Sequence, residues 1–207
     1  EPKPPAGPGR RWKPSILAFV TAFLMLAGLV VLSYPTVASW FSQREQSKII
    51  SNYATQLNKA VPAAQQQLAE AREYNAALDA GAVLGANERI PTGSGSLGNG
   101  SLGNGQFDYN ALLSVNDSGL MGRIRIDKID VDLPIYHGTS DAVLLKGVGH
   151  LEGTSLPVGG DSTHSVLTGH RGLADSTLFT NLTKEEVGDQ FVVQVFGDVL
   201  TYQVMST

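Results

Sequence analysis

The sequence predicts a mainly β domain, a β-barrel left incomplete at its C-terminus, preceded by a transmembrane helix and an α-helical arm. Three observations carry this reading. Ile16–Leu32 is almost wholly apolar. Apolar residues recur every three or four positions through Gln46–Leu78. From Gly119 onward they alternate in short segments punctuated by glycine and proline, which indicates short strands with irregular crossovers rather than βαβ units.

The charge distribution narrows the partners. The 207 residues carry a net charge of −4. Residues 1–13 hold Lys3, Arg10, Arg11 and Lys13 against Glu1, a net +3, so the remainder carries −7. An acidic body argues against nucleic acid, whose phosphates need clustered Lys and Arg. The sequence contains no cysteine, so no disulfide can form. Residues 1–13, rich in Pro, Gly and Arg, read as a disordered basic tail.

Residues 14–34 read as a signal anchor. No charged residue lies between Lys13 and Arg44, and about 17–20 apolar residues suffice to cross a hydrocarbon core of ~30 Å. The run is longer than the h-region of a cleaved signal peptide, although Thr36-Val-Ala38 resembles a cleavage site. Trp12 and the Tyr34/Trp40 pair fall where interfacial aromatics sit, and the basic flank places the N-terminus in the cytoplasm. The expected location is therefore the cytoplasmic membrane, single-pass, with the domain outside.

Residues 35–80 read as the helical arm. Ile50, Tyr53, Leu57, Val61, Ala64, Leu68 and Ala71 form one stripe, and Pro62 either divides the stretch or starts its second helix. A free stalk and an arm packed on the domain fit this pattern equally. Residues 81–118 read as a flexible linker or lid region. Within it Gly81–Gly105 contains a tandem repeat, Ser96-Leu-Gly-Asn-Gly100 then Ser101-Leu-Gly-Asn-Gly105, a glycine-rich loop expansion and not a solenoid.

Residues 119–207 read as the barrel portion. Met121–Ile126 alternates as a half-buried strand, and Val131–Tyr136 follows as an edge or bulged strand because of Pro134. Ser140–Lys146 is a short helix capped by Ser140 or Asp141. His164–Thr168 is a strand, and Leu173–Leu182 a loop with one helical turn. Phe191–Phe196 and Val199–Val204 form a hairpin about a Gly197-Asp198 turn. Five strands leave unpaired edges, which predicts a chain cut short within the barrel.

The chemistry rests on four histidines, at 137, 150, 164 and 170. Their spacing matches no compact metal-ligand pattern, and no metal or other cofactor is expected. His137 reads as a turn residue and His164 as an exposed strand residue. His150 sits in a glycine-flanked loop as a structural hydrogen-bonder or a contact of the site. His170 stands at a strand end after Thr168-Gly169, where a rigid element aims an imidazole able to exchange protons near neutral pH. Ser155, Ser162, Ser165, Asp161 and Asp175 leave a Ser–His–Asp hydrolase open, but no Gly-x-Ser-x-Gly elbow is present.

Ser165-Val-Leu-Thr-Gly-His-Arg-Gly-Leu173, with His150-Leu-Glu-Gly-Thr-Ser-Leu-Pro-Val-Gly-Gly160 before it and Thr177-Leu-Phe-Thr-Asn-Leu182 after it, resembles the core of class C sortases, the pilus-building cysteine transpeptidases. The resemblance covers Gly119–Val204 and implies a sortase-like barrel. It makes His170 the catalytic acid–base residue, with Thr168, Gly169, Arg171 and Leu173 supporting the substrate groove. It implies partners in the Leu-Pro-x-Thr-Gly sorting signals of pilins or surface proteins, with a lysine amine resolving the thioester. The family's cysteine lies in a Thr-Leu-x-Thr-Cys strand, and no such segment occurs here, so the chain as written is expected to be inactive. Arg171 is not the family's arginine, which follows the cysteine. The Asp-Pro-aromatic lid motif is also absent; Ile90-Pro91 and Phe107-Asp108-Tyr109 are the nearest segments. The competing expectations are an inactive membrane-tethered peptide-binding protein and a structural cell-envelope protein.

Overall fold

A stretch free of charge and the first part of the amphipathic stripe become a single helix, and the rest of the stripe a second one. The computed structural model describes residues 15–59, 61–79, 101–102, 107–114, 118–173 and 176–207. The basic tail 1–13, Ile90-Pro91, Asp175 and all of the Gly81–Gly105 linker except Ser101–Leu102 lie outside those residues. Helix α1 spans Ile16–Lys59, 44 residues with Pro35 inside, or roughly 66 Å at ~1.5 Å per residue. Pro35 has no N–H, so the Val31 carbonyl loses its helical donor there. Helix α2 spans Val61–Asp79. Pro62 occupies its first turn, where a missing N–H costs nothing.

The stripe packs on the domain and is not a free stalk. Tyr53, Ala64, Leu68 and Ala71 are all buried. The Tyr53 hydroxyl donates to the Met121 carbonyl at 2.7 Å and accepts from the Phe196 N–H at 3.0 Å. Asn75 on α2 holds Leu156 at both backbone groups, at 3.0 and 2.7 Å.

The rest is a half-barrel. Strands β1 (Ser101–Leu102) and β2 (Phe107–Asp108) make a small antiparallel ladder. A six-stranded sheet follows, made of β3 (Leu120–Ile126), β4 (Val131–His137), β5 (Val148–His150), β6 (Leu167–Thr168), β7 (Gln190–Val195) and β8 (Asp198–Gln203). Its order is β6-β5-β4-β3-β7-β8. Only β4 and β5 are parallel, joined by the short helix α3 (Asp141–Leu144) with Ser140 as N-cap residue. Short, mostly antiparallel strands with two crossovers, β4 to β5 and β6 to β7, preceded by two helices, are the architecture the alternating pattern called for.

Three expectations need correction. Val131–His137 is an interior strand, not an edge. It tolerates Pro134 because pairing with β5 begins one residue later, at Ile135↔Val148. The irregularity lies instead in β3, where the register slips between Leu120 and Gly122. The strand expected at His164–Thr168 is only Leu167–Thr168, and Val166 and Leu167 are half-buried. The hairpin turn is Phe196-Gly197, not Gly197-Asp198, because Val195 pairs with Asp198. Both turn residues have positive φ, 49° and 97°, as a two-residue turn matching strand twist requires. Phe196 accepts this conformation while its ring lies buried edge-on to Tyr53, with centroids 6.4 Å apart.

Tyr53→Phe isolates that junction. The phenyl ring fills the same space, but Met121 O and Phe196 N–H lose their buried partner, at about 1–3 kcal/mol in all. A urea melt read by far-UV circular dichroism should show a lower midpoint with an unchanged slope; an unchanged midpoint would remove Tyr53 from the account of how α1 is held.

Candidate functional site

One face of the sheet is an open groove of about 860 Å³. Ile124 and Ile126 of β3, Leu167 of β6, Phe191 and Val193 of β7 and Tyr202 of β8 form its apolar floor. Period-two alternation puts these side chains on one face. The rings of Phe191 and Tyr202 stack across the β7–β8 pair, centroids 5.2 Å apart and 11° from parallel. The polar rim comes from His164, Ser165, Thr168, Arg171 and Glu185.

Of the residues the sequence singled out, Thr168, Gly169 and Arg171 line the groove, whereas His170 and Leu173 are not among its lining residues. His170 is half-buried and directly follows the β6 end. Its carbonyl accepts from the Phe179 N–H at 3.1 Å, which fastens the loop after it to the histidine. Leu173 packs against the core. Gly169 is not among the glycines with positive φ. Among the positive-φ glycines the nearest is Gly172, at 79°. At Gly169 the need is space: a β-carbon there would come within 2.9 Å of the Phe179 ring.

Sequence reasoning missed Glu185 and Ser165 as groove residues. Glu185 is 6 % exposed, and among the described residues neither its two carboxylate oxygens nor the Ser165 hydroxyl has a hydrogen-bond partner. Buried polar groups in native proteins are nearly always paired, which sets these atoms apart. Nothing in the local sequence marks Glu185, since Thr183-Lys-Glu-Glu186 reads as a polar turn.

The other histidines are structural or peripheral. His164 is exposed on the rim, as expected. His150 is not in a loop; it ends β5 and is fully buried. Its Nε2 lies 2.9 Å from the Ser155 carbonyl and its Nδ1 2.9 Å from the Tyr109 hydroxyl. The tautomer that satisfies both is the neutral ring with its proton on Nε2. His137 is buried at the end of β4, its Nδ1 2.9 Å from the Gly119 carbonyl and its Nε2 2.7 Å from the Leu112 carbonyl. Burial, the larger influence, lowers its pKa, and the two carbonyls oppose that. Among the described residues no group of three or more His, Asp or Glu is placed to hold a metal ion.

His150 gives the domain an acid limb. Burial, the main cause, pushes its pKa from the ordinary 6.5 down to about 4. Between those values the unfolded chain binds a proton that the folded one refuses. The stability this neutral ring contributes is therefore full above about pH 6.5 and is lost as pH falls towards 4, by roughly 2–3 kcal/mol. Equilibrium unfolding from pH 7.5 to 4.5 should show that slope, and His150→Gln should flatten it. An equal slope in the variant would assign the acid sensitivity elsewhere.

A profile of the Sortase domain matches residues 124–207. Sortase D of Bacillus subtilis (strain 168) is 35% identical over 86 residues, 42% of this chain. The chain spans 40% of the length of that curated relative. Among solved structures, sortase C1 of Streptococcus agalactiae is 37% identical, with a TM-score of 0.60 over 77% of this chain and 76% of the other. Sortase C of Streptococcus pneumoniae is 33% identical, with a TM-score of 0.61 over 77% and 74% of the two chains. A sortase C-1 from Actinomyces oris is 40% identical, with a TM-score of 0.54 over 69% and 74%.

Proposed function

This chain belongs to the class C sortase family, and on that premise we propose that it presents the substrate groove and the acid–base histidine of a membrane-anchored transpeptidase. The substrate is the Leu-Pro-x-Thr-Gly sorting signal of a pilin or surface protein, and the acceptor is a lysine amine. The observation that carries the reading is the groove itself: Thr168, Gly169 and Arg171 border it beside His170, within the segment of the family match. One helix among the described residues is long and apolar enough to cross a membrane, and α1 serves as the anchor, with its N-terminus cytoplasmic and the domain outside.

The chemistry is acyl transfer in two steps. A thiolate attacks the threonine carbonyl, the C–N bond breaks, and His170 gives its proton to the leaving glycine amine. The lysine amine then attacks the thioester, His170 takes up the proton, and the thiolate departs. No residue of this sequence is a cysteine, so the 207-residue polypeptide binds the signal without turning it over.

The test is a fluorescent Leu-Pro-x-Thr-Gly peptide offered to residues 1–207 in nanodiscs. We expect saturable binding that Thr168→Trp abolishes by filling the groove, and no cleavage. Absence of binding would overturn the groove assignment. Cleavage abolished by a serine-directed reagent would replace the transpeptidase by a hydrolase using one of the loop serines.

A further inference from the structure

The path of α1 along the sheet fixes which end of the domain faces the bilayer. Ser42 on α1 donates to the Ser176 hydroxyl, 3.2 Å away, in the loop that follows His170. One turn on, Gln43, Gln46 and Ser47 border Asp130–Leu133 and Thr177–Leu178. Tyr53, farther along, reaches Met121 and Phe196 at the opposite end, beside the β7–β8 turn. The helix therefore leaves its apolar segment at the His170 end of the sheet and runs away from it.

The level of the bilayer is set by charge. From Ile16 to Gln43 the helix carries none, about 42 Å, which matches a bilayer including its headgroups at ~40–45 Å. The first charge is Arg44, whose guanidinium lies 5.5 Å from the Trp40 ring centroid; Trp40 and Phe41 beside it are exposed. This is the aromatic and cationic rim of a membrane interface. Ser42, and Ser176 with it, sit at headgroup level.

A second, independent observation concerns the domain's own surface. Among the described residues outside α1, the exposed large apolar side chains are Leu145, Leu182, Val187, Val199 and Met205. Val199 pairs with Gln194, next to the far turn. The other four lie at the His170 end. Leu182 follows the Phe179 contact with His170. Val187 and Met205 flank the bond from Gly188 N–H to the Val204 carbonyl, at the start of β7. Leu145 precedes Lys146, whose carbonyl faces Gln46 of α1. Around them Lys146, Arg171 and Lys184 are exposed, and among the described residues they form no salt bridge. Asp130 and Asp141 are exposed acids there without one, and the carboxylates beside Val187, Glu186 and Asp189, are held by Lys128. Apolar side chains within a ring of unpaired cations match an anionic lipid surface.

We propose that the His170 end of the domain docks on the bilayer, with Leu145, Leu182 and Val187 dipping into the headgroup–acyl boundary and Lys146, Arg171 and Lys184 on lipid phosphates. This rests on the reading of α1 as a membrane anchor.

The absence of cysteine makes the test clean. Single variants Leu24→Cys, Leu182→Cys, Val187→Cys and Val199→Cys of the full chain would carry a nitroxide label in nanodiscs of three parts phosphatidylcholine to one part phosphatidylglycerol. Relaxation would be read against a nickel chelate carried on lipid headgroups, with oxygen reporting acyl-chain depth. Melting curves confirm that each variant folds. Expected is a severalfold larger effect of the headgroup chelate at 182 and 187 than at 199. The contrast should shrink in pure phosphatidylcholine and in Lys146→Gln/Lys184→Gln. Equal effects at 182, 187 and 199 while oxygen places Leu24 in the hydrocarbon would overturn docking and leave the anchor standing. A water-exposed label at 24 would overturn the anchor and docking together.

Discussion

Tyr109→Phe is expected to lower the stability of the domain by about 2–5 kcal/mol, without changing any residue of the groove. Tyr109 is 1 % exposed. Its hydroxyl lies 2.9 Å from His150 Nδ1 and 3.0 Å from the His150 carbonyl, and it accepts from the Gly138 N–H at 3.1 Å. One hydroxyl thus ties the segment before β3 to the ends of β4 and β5. The phenyl ring leaves the imidazole acceptor and the Gly138 donor buried without partners, at roughly 1–3 kcal/mol each. His137, edge-on to the Tyr109 ring at 5.0 Å, keeps its own carbonyl contacts. Thermal unfolding should show the loss, while binding of the sorting peptide below the transition should stay at the parental affinity. A variant as stable as the parent would mean that the network is satisfied some other way.

That network marks the limit of what the sequence could convey. Alternation in Met121–Ile126 and in the hairpin was legible because each strand buries one face, which is a local property. The stripe through Ala64, Leu68 and Ala71 was legible for the same reason at helical period, but not its burial against the domain. Three long-range facts were not. Pro134 read as an edge marker, yet the neighbouring strand starts one residue beyond it. The turn shifted by one residue because the register is set by pairing along the whole hairpin. The strand Val148–His150 gives too short a signal, three residues with a central glycine, and its histidine read as a loop residue for that reason. The groove shows the same division. The Leu167–Leu173 motif was visible as a sequence, whereas Glu185 enters the site through the path of the loop from Phe179 to β7, and local pattern does not encode that path.

The geometry also links the anchor to the site. Ser42 touches Ser176, six positions after His170, and Phe179 bonds the His170 carbonyl. Movement of α1 would therefore reach the histidine through two contacts on one short loop.

The largest effect expected is on turnover, in a form of the protein that carries the nucleophilic cysteine. There His170→Ala should lower transpeptidation by ~10²–10⁴-fold, the usual contribution of a general acid–base. The fold should survive, because the imidazole is only half-buried and the bond from Phe179 N–H goes to the His170 backbone carbonyl, which alanine keeps. His164→Ala, on the exposed rim, should cost far less activity. His150→Ala should instead lower the melting temperature, since it empties a fully buried site and orphans the Ser155 and Tyr109 groups. The three variants separate chemistry from architecture when turnover of a sorting-signal peptide is measured beside a melting curve for each. Near-parental turnover by His170→Ala, or loss of activity in His164→Ala at an unchanged melting temperature, would assign the acid–base role to a different histidine.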